Sequence, residues 1–88
     1  MKDRIKEIIL ENVPECTAYV FGDDGEHFAA LVISPAFTDL PLIKQHKMVM
    51  TALKEEFAER VHALQLKTFS PEKWDAAKHE YDLPEEDK

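Results

Sequence analysis

Residues 61–74, VHALQLKTFSPEKW, constrain the fold most, because they join the pattern of a strand directly to the start of a helix. Leu64 and Leu66 alternate with Gln65 and Lys67, which predicts a strand over residues 61–69 with one buried face. The Ser-Pro-Glu sequence at 70–72 is typical of a helix N-cap and first turn. The third strand is therefore followed at once by a last helix that carries Trp74.

Two further strands are predicted upstream as a hairpin. Residues 16–21 and 28–34 are rich in β-branched, aromatic and aliphatic side chains. Between them GDDGE contains the dipeptide Asp24-Gly25, which is typical of a tight hairpin turn, so we expect the two strands to be antiparallel. Pro35 ends the second strand, and the residues up to Pro41 indicate a turn or a single helical turn.

Helical spacing of apolar residues predicts two more helices. The first carries Ile5, Ile8 and Ile9 behind Asp3, which we expect to be its N-cap, and it stops at Pro14. The second has Pro41 in its first turn, an apolar stripe and three lysines on another face. The stripe consists of Leu42, His46, Val49, Met50, Leu53 and Phe57, and the lysines are Lys44, Lys47 and Lys54.

The predicted order of elements is α-β-β-α-α-β with a trailing helix. This order describes an α+β domain with a three-stranded mixed sheet, helices on one face and a C-terminal helix. A crossover of helical length separates the second and third strands, so they can be parallel neighbours with a right-handed connection. An 88-residue chain buries enough surface for one core only, and we expect one domain over residues 1–78. Residues 79–88 are predicted to be an acidic tail that frays.

Charge and composition exclude several classes of protein. Eighteen acidic and eleven basic residues give a net charge of −7 and a pI of about 5.0, which disfavours nonspecific binding of nucleic acid. No apolar run approaches the roughly 20 residues of a membrane span, and the N-terminal residues lack the pattern of an export signal, so we expect a cytoplasmic protein without membrane contact. Cys16 is the only cysteine, so any metal site must use histidine.

The order of elements and two segments resemble the BolA-like family, whose members are small proteins with a class II KH-like fold. The resemblance covers roughly residues 5–74. AFTDLPLIKQHKMV at residues 36–49 looks like the family's helix-entry segment with its His-basic-x-Val element. Residues 61–74 look like the family's third-strand signature.

The resemblance implies an adaptor in iron-sulfur cluster trafficking and iron homeostasis. His62 matches the near-universal histidine of the family, and His27 in the loop GDDGEHF matches the histidine form of its second ligand. The implied partner is a monothiol glutaredoxin of the Cys-Gly-Phe-Ser type. The two proteins would share a 2Fe-2S cluster whose other ligands are the glutaredoxin cysteine and glutathione. We then expect the isolated chain to carry no cofactor. Whether it forms a weak homodimer is left open.

Each of these side chains also has an ordinary structural interpretation. His62 shares strand parity with leucines, where a histidine is more often half-buried and hydrogen-bonded, and His27 beside a turn is most often solvated. We expect His46 on the apolar stripe to be a satisfied interface histidine and assign no role to His79. Cys16 has no basic neighbour or helix N-terminus to lower its pKa, so a small buried apolar residue is expected there.

Two other functions are weighed against the adaptor. Some BolA-like proteins are described as transcriptional regulators, and the lysine face of the long helix could contact DNA. KH domains grip nucleotides with a GxxG loop, however, and this chain has TDLP at residues 38–41 and glycine only at Gly22 and Gly25. An enzyme is not expected, because the sequence shows no Gly-rich phosphate loop and no pair of nucleophile and base.

Overall fold

The computed structural model describes residues 2–22, 28–57 and 64–81. Its helices are α1 (Lys2–Asn12), α2 (Leu42–Phe57) and α3 (Pro71–Ala77), and its strands are β1 (Thr17–Phe21), β2 (Phe28–Ile33) and β3 (Leu64–Phe69). Single 3₁₀ turns occur at Pro35–Phe37 and Lys78–Glu80. The α+β class and the order of strands and helices are confirmed, with the single 3₁₀ turn at Pro35–Phe37 in the place of the first of the two helices predicted between β2 and β3.

The three strands form one mixed sheet in the order β1-β2-β3. β1 pairs antiparallel with β2, as the hairpin pattern predicts, and β2 pairs parallel with β3. A parallel pair needs a crossover connection, and α2 lies in the segment that joins these two strands. The central strand β2 therefore contacts both neighbours, and its residues face a core on each side of the sheet.

The larger core lies between the sheet and the helices α1 and α2. Side chains of a strand alternate between faces, so every second residue of β1 and β2 points towards these helices. The isoleucines of α1, which are 0–4% exposed, meet α2 through its fully buried residues Val49 and Leu53. The cluster comprises Ile5, Ile8, Ile9, Val13, Ala18, Phe28, Ala30, Val32, Phe37, Val49 and Leu53.

A smaller aromatic cluster covers the opposite face of the sheet. Ser70 caps α3 by accepting a hydrogen bond from the backbone N–H of Lys73, and Pro71 fills the first helical position, as predicted. This start turns α3 so that Trp74 packs on the sheet, with ring centroids 5.2 Å from Phe69 and 6.0 Å from Tyr19. The sequence predicts that α3 follows β3 but not the face on which it packs.

Two predictions about helix positions are wrong. Asp3 lies inside the first turn of α1, which begins at Lys2, and so it is not the N-cap. Leu42 is 60% exposed, whereas Gln45 is only 7% exposed. The first turn of α2 directs Gln45 inward because its amide finds polar partners there. The buried stripe therefore starts at Gln45 and continues through Val49 and Leu53.

Gln45 and Thr68 form a buried polar bridge between α2 and β3. The Thr68 hydroxyl donates to Gln45 Oε1 over 2.6 Å. Gln45 Nε2 donates to the carbonyl of Leu40 at 2.7 Å and to that of Phe37 at 3.3 Å. Because buried polar groups are stable only when hydrogen-bonded, the bridge fixes the segment before α2 against the third strand.

The helices are short relative to a lipid bilayer. Within residues 2–22, 28–57 and 64–81, none combines the length and the apolar character that a membrane span requires.

Candidate functional site

One edge of the sheet brings together the ends of all three strands. β1 ends at Phe21, which pairs with Ala29 near the start of β2. β2 and β3 both start at this edge, and their first residues, Phe28 and Leu64, are register partners. Phe28 is buried in the main core, so the start of β2 is fixed by packing. The segments that precede β2 and β3 therefore join the sheet side by side.

Both predicted ligands belong to these two segments of the sequence. His27 is bonded to Phe28, and His62 precedes Leu64 by two residues. Residues 23–27 and 58–63, and with them both histidines, lie outside the described part of the chain. The structure thus describes the junctions with the sheet and leaves the ligand roles of His27 and His62 as predictions.

Cys16 lies at the opposite end of β1 from this edge. It precedes Thr17, which pairs with Ile33 at the last residue of β2. Its Sγ lies 3.7 Å from the carbonyl oxygen of Ile9, and the side chain is half-buried. Burial raises the pKa of the Cys16 thiol, against a smaller opposite effect of a backbone hydrogen bond. The raised pKa leaves less thiolate at a given pH, and the position of Cys16 separates it from the edge at which β2 and β3 start.

The other two histidines lie within the described residues. His46 is half-buried on α2, and His79 is exposed in the last 3₁₀ turn. In the described ranges, no cluster of three or more histidine, cysteine, aspartate or glutamate side chains could hold a metal ion.

The segment before α2 departs from a nucleotide-gripping loop. Asp39 adopts φ 62°, a left-handed conformation that glycine takes most easily and aspartate tolerates. Asp39 is exposed, so the segment before α2 presents an acidic side chain instead of a second glycine. Lys44, Lys47 and Lys54 are exposed on α2, as predicted.

Tyr81, to which no pattern in the sequence assigned a role, lines a groove together with Phe21 and Ala29 near the edge at which β2 and β3 start. Its ring centroid lies 5.5 Å from that of Trp74, and its hydroxyl accepts a hydrogen bond from Lys67 Nζ over 3.5 Å. The lone aromatic residue just after the last predicted helix was the only signal in the sequence.

A mixed three-stranded sheet with two helices on one face and a third on the other defines a small α+β domain. The family model described as BolA-like protein matches residues 9–73, so the chain belongs to the BolA-like family.

Three relatives illustrate the similarity. The DNA-binding transcriptional regulator BolA of Escherichia coli is 30% identical over 84 residues, which cover 85% of this chain and 80% of that protein. The putative BolA-like protein K11H12.1 of Caenorhabditis elegans is 38% identical over 71 residues, covering 81% of this chain but only 59% of its relative. The solved structure of a BolA homologue from Coxiella burnetii matches with a TM-score of 0.73 at 32% identity, covering 85% of this chain and 96% of that one.

Proposed function

We propose that this protein is an adaptor of iron-sulfur cluster trafficking that binds a monothiol glutaredoxin and shares a 2Fe-2S cluster with it. His62 and His27 are the ligands that this chain would supply. The glutaredoxin cysteine and glutathione would complete the set. The role is one of binding and transfer in the cytoplasm rather than of catalysis.

The parallel pairing of Phe28 with Leu64 is the observation that carries this proposal. His27 and His62 stand one and two residues before these partners in the sequence, and the strands that follow them are neighbours that start at the same edge of the sheet. A pair of ligands on adjacent strand starts suits a group held between two proteins. Cys16 joins the sheet at the other end, which is consistent with a site built from histidine.

The ligand chemistry also favours a shared site. A 2Fe-2S cluster requires four ligands, and histidine can replace cysteine on one iron, which raises the reduction potential. This chain offers two candidate histidines, and its described residues contain no further cluster of ligands. Only the neutral imidazole coordinates a metal, so cluster binding would respond to pH.

Reconstitution with a monothiol glutaredoxin, glutathione, iron and sulfide tests the proposal. We expect a mixed complex whose visible absorption and circular dichroism differ from those of the glutaredoxin homodimer. His62→Ala should abolish the distinct spectrum. His27→Ala should leave a weaker or less persistent spectrum. His27 belongs to a loop sequence that contains both glycines of the chain, so we expect this ligand to be less fixed before the partner binds than His62.

His79→Ala is the matched control, because it removes an exposed imidazole from the far end of the chain. Its spectrum should equal that of the wild type. A wild-type spectrum from both His62→Ala and His27→Ala would show that the metal is held without these residues.

Regulation of transcription through DNA is the second candidate function. The E. coli relative is named a DNA-binding transcriptional regulator, and three lysines are exposed on α2. The net charge of −7 and the carboxylate of Asp39 before that helix oppose contact with phosphates.

Titration against duplex DNA across salt concentrations separates the two candidates. A DNA regulator should lose affinity steeply as salt rises, because lysine-phosphate contacts release counterions. Lys44→Glu should then weaken binding, while Lys2→Glu, an equal charge change at the start of α1, should have a smaller effect. We expect weak DNA binding that neither variant changes specifically.

A further inference from the structure

The first row of residues across the sheet, next to the histidine-bearing segments, is open on the face that carries α3. Phe21, Ala29 and Gln65 are register neighbours on β1, β2 and β3. Residues paired across strands point to the same face, so these three side chains lie in one row. Ala29 has only a methyl group between its two larger neighbours, and the row is therefore low at its centre.

The second row on this face is partly covered by the end of the chain. Tyr19, Leu31 and Lys67 are its register neighbours. Trp74 packs on Tyr19 of this row, and Tyr81 packs on Trp74. These two rings cover part of the second row, whereas they leave the first row uncovered. The aromatic cluster therefore ends in a step, with the first row exposed below it.

This step encloses a groove of about 230 Å³. Phe21, Ala29, Leu31 and Tyr81 are its apolar lining residues, and Ala29, the smallest side chain of the first row, leaves the groove open between Phe21 and Gln65. Its volume suits one large side chain rather than a drug-sized molecule, which needs at least about 300 Å³.

The polar side of the groove carries a positive charge in an acidic protein. The ammonium of Lys67 lies 5.7 Å from the ring centroid of Tyr81 and donates to its hydroxyl. Among the described ion pairs, none gives Lys67 a carboxylate partner. The cation is therefore oriented by an aromatic ring and is available for an acidic group from outside.

We propose that this groove is the docking site for a segment of the cluster-sharing partner, which inserts one apolar side chain over Ala29 and sets a carboxylate against Lys67. The inference rests on the proposed function, because it is the partner that would reach the adjoining edge of the sheet. Phe21 and Ala29 border that edge directly, so one partner surface can contact the groove and the strand ends Phe28 and Leu64 that adjoin the predicted ligands in the sequence. The apolar contact would supply affinity, and the charge would set the orientation.

Two variants test the groove without touching the predicted ligands. Ala29→Leu fills the groove, and Lys67→Glu reverses its charge. Each should weaken the affinity for a monothiol glutaredoxin without cluster by roughly tenfold, measured by isothermal titration calorimetry. Lys44→Glu on α2 is the matched charge control and should bind as the wild type does. At saturating partner and with cluster, both groove variants should retain the distinct spectrum that depends on His62.

The outcomes separate the groove from the proposed function. Unchanged affinity in Lys67→Glu and in a folded Ala29→Leu overturns the groove, while a spectrum that His62→Ala abolishes leaves the shared cluster standing. An equal loss of affinity in Lys44→Glu also overturns the groove proposal, because the effect is then one of net charge.

Self-association of the wild type that the groove variants abolish, seen by analytical ultracentrifugation, would assign the groove to a second copy and overturn the proposal. Absence of any mixed complex refutes the proposed function itself. Trp74 emission and thermal unfolding verify that each variant is folded.

Discussion

Removal of the Thr68 hydroxyl should destabilise the protein more than the small change in the side chain suggests. Thr68→Val keeps the shape of the side chain and deletes the donor of the 2.6 Å bond to Gln45 Oε1. Thr68 is 8% exposed and Gln45 7%, so water cannot readily replace the lost donor. A buried acceptor left without a partner costs about 1–3 kcal/mol. Such a loss is large against a total stability of about 5–15 kcal/mol for a domain.

Urea unfolding followed by Trp74 fluorescence measures the effect. For a small domain the dependence on urea is about 1–3 kcal/mol per molar, so the midpoint should fall by roughly 1 M. Thr17→Val is the matched control, because Thr17 is exposed on β1 and should change stability by less than about 0.5 kcal/mol.

A double-mutant cycle with Gln45→Met isolates the bridge. Gln45→Met also removes the donor to the Leu40 carbonyl, so that variant alone should be destabilised as well. If the hydroxyl and amide act as a pair, the effects of Thr68→Val and Gln45→Met should be less than additive by about 0.5–3 kcal/mol. Strict additivity, or a Thr68→Val variant as stable as the control, would refute the bridge as a source of stability.

Three further predictions follow from burial and protonation. Leu53→Ala should cost about 2–5 kcal/mol in urea unfolding, whereas Lys54→Ala should change stability by less than about 0.5 kcal/mol, and equal effects would contradict the packing of α2. Because burial raises the pKa of Cys16, less thiolate is present at a given pH, and its alkylation by iodoacetamide should require a higher pH in the folded than in the urea-unfolded protein; coincident pH profiles would contradict this. Lowering the pH below the usual pKa of imidazole, about 6.5, should destabilise the mixed complex more than the glutaredoxin homodimer, because protons compete with iron for the imidazole nitrogens, and identical pH profiles for the two species would contradict histidine ligands.

Local signals in the sequence predicted the elements that depend on local chemistry. The prediction that α3 starts at Ser70 and Pro71 is confirmed, because an N-cap hydrogen bond and the fixed φ of proline act within a single helical turn. The parallel pairing of β2 and β3 is also correct, because chain connectivity leaves few other arrangements for strands joined by a helix.

Features that depend on tertiary contacts were not predictable in this way. Periodicity placed Leu42 in the core, yet Gln45 is buried instead, because its partners are backbone carbonyls and a threonine 23 residues away. The face chosen by α3 depends on the contact of Trp74 with Tyr19, which no short pattern encodes. The ligand roles of the histidines came from the family resemblance rather than from spacing, and they await the reconstitution described above.

The mixed pairing of the sheet affects the order in which its strands pair during folding. The antiparallel pair Phe21 and Ala29 is 8 residues apart in the chain, whereas the parallel pair Phe28 and Leu64 is 36 residues apart. Closing the longer loop costs about 1.3 kcal/mol more in chain entropy, from the logarithmic dependence on loop length. The hairpin should therefore form early, and β3 should dock only after α2 has shortened the connection.

Refolding kinetics would then respond unequally to changes in the two halves of the sheet. Substitutions that weaken the β1–β2 pair should slow folding, because the shorter loop favours formation of that pair before the barrier is crossed. Substitutions at β3, including those of the polar bridge, should chiefly accelerate unfolding. β3, the strand that contributes Lys67 to the candidate partner surface, would thus be the last to join the sheet and the first to leave it.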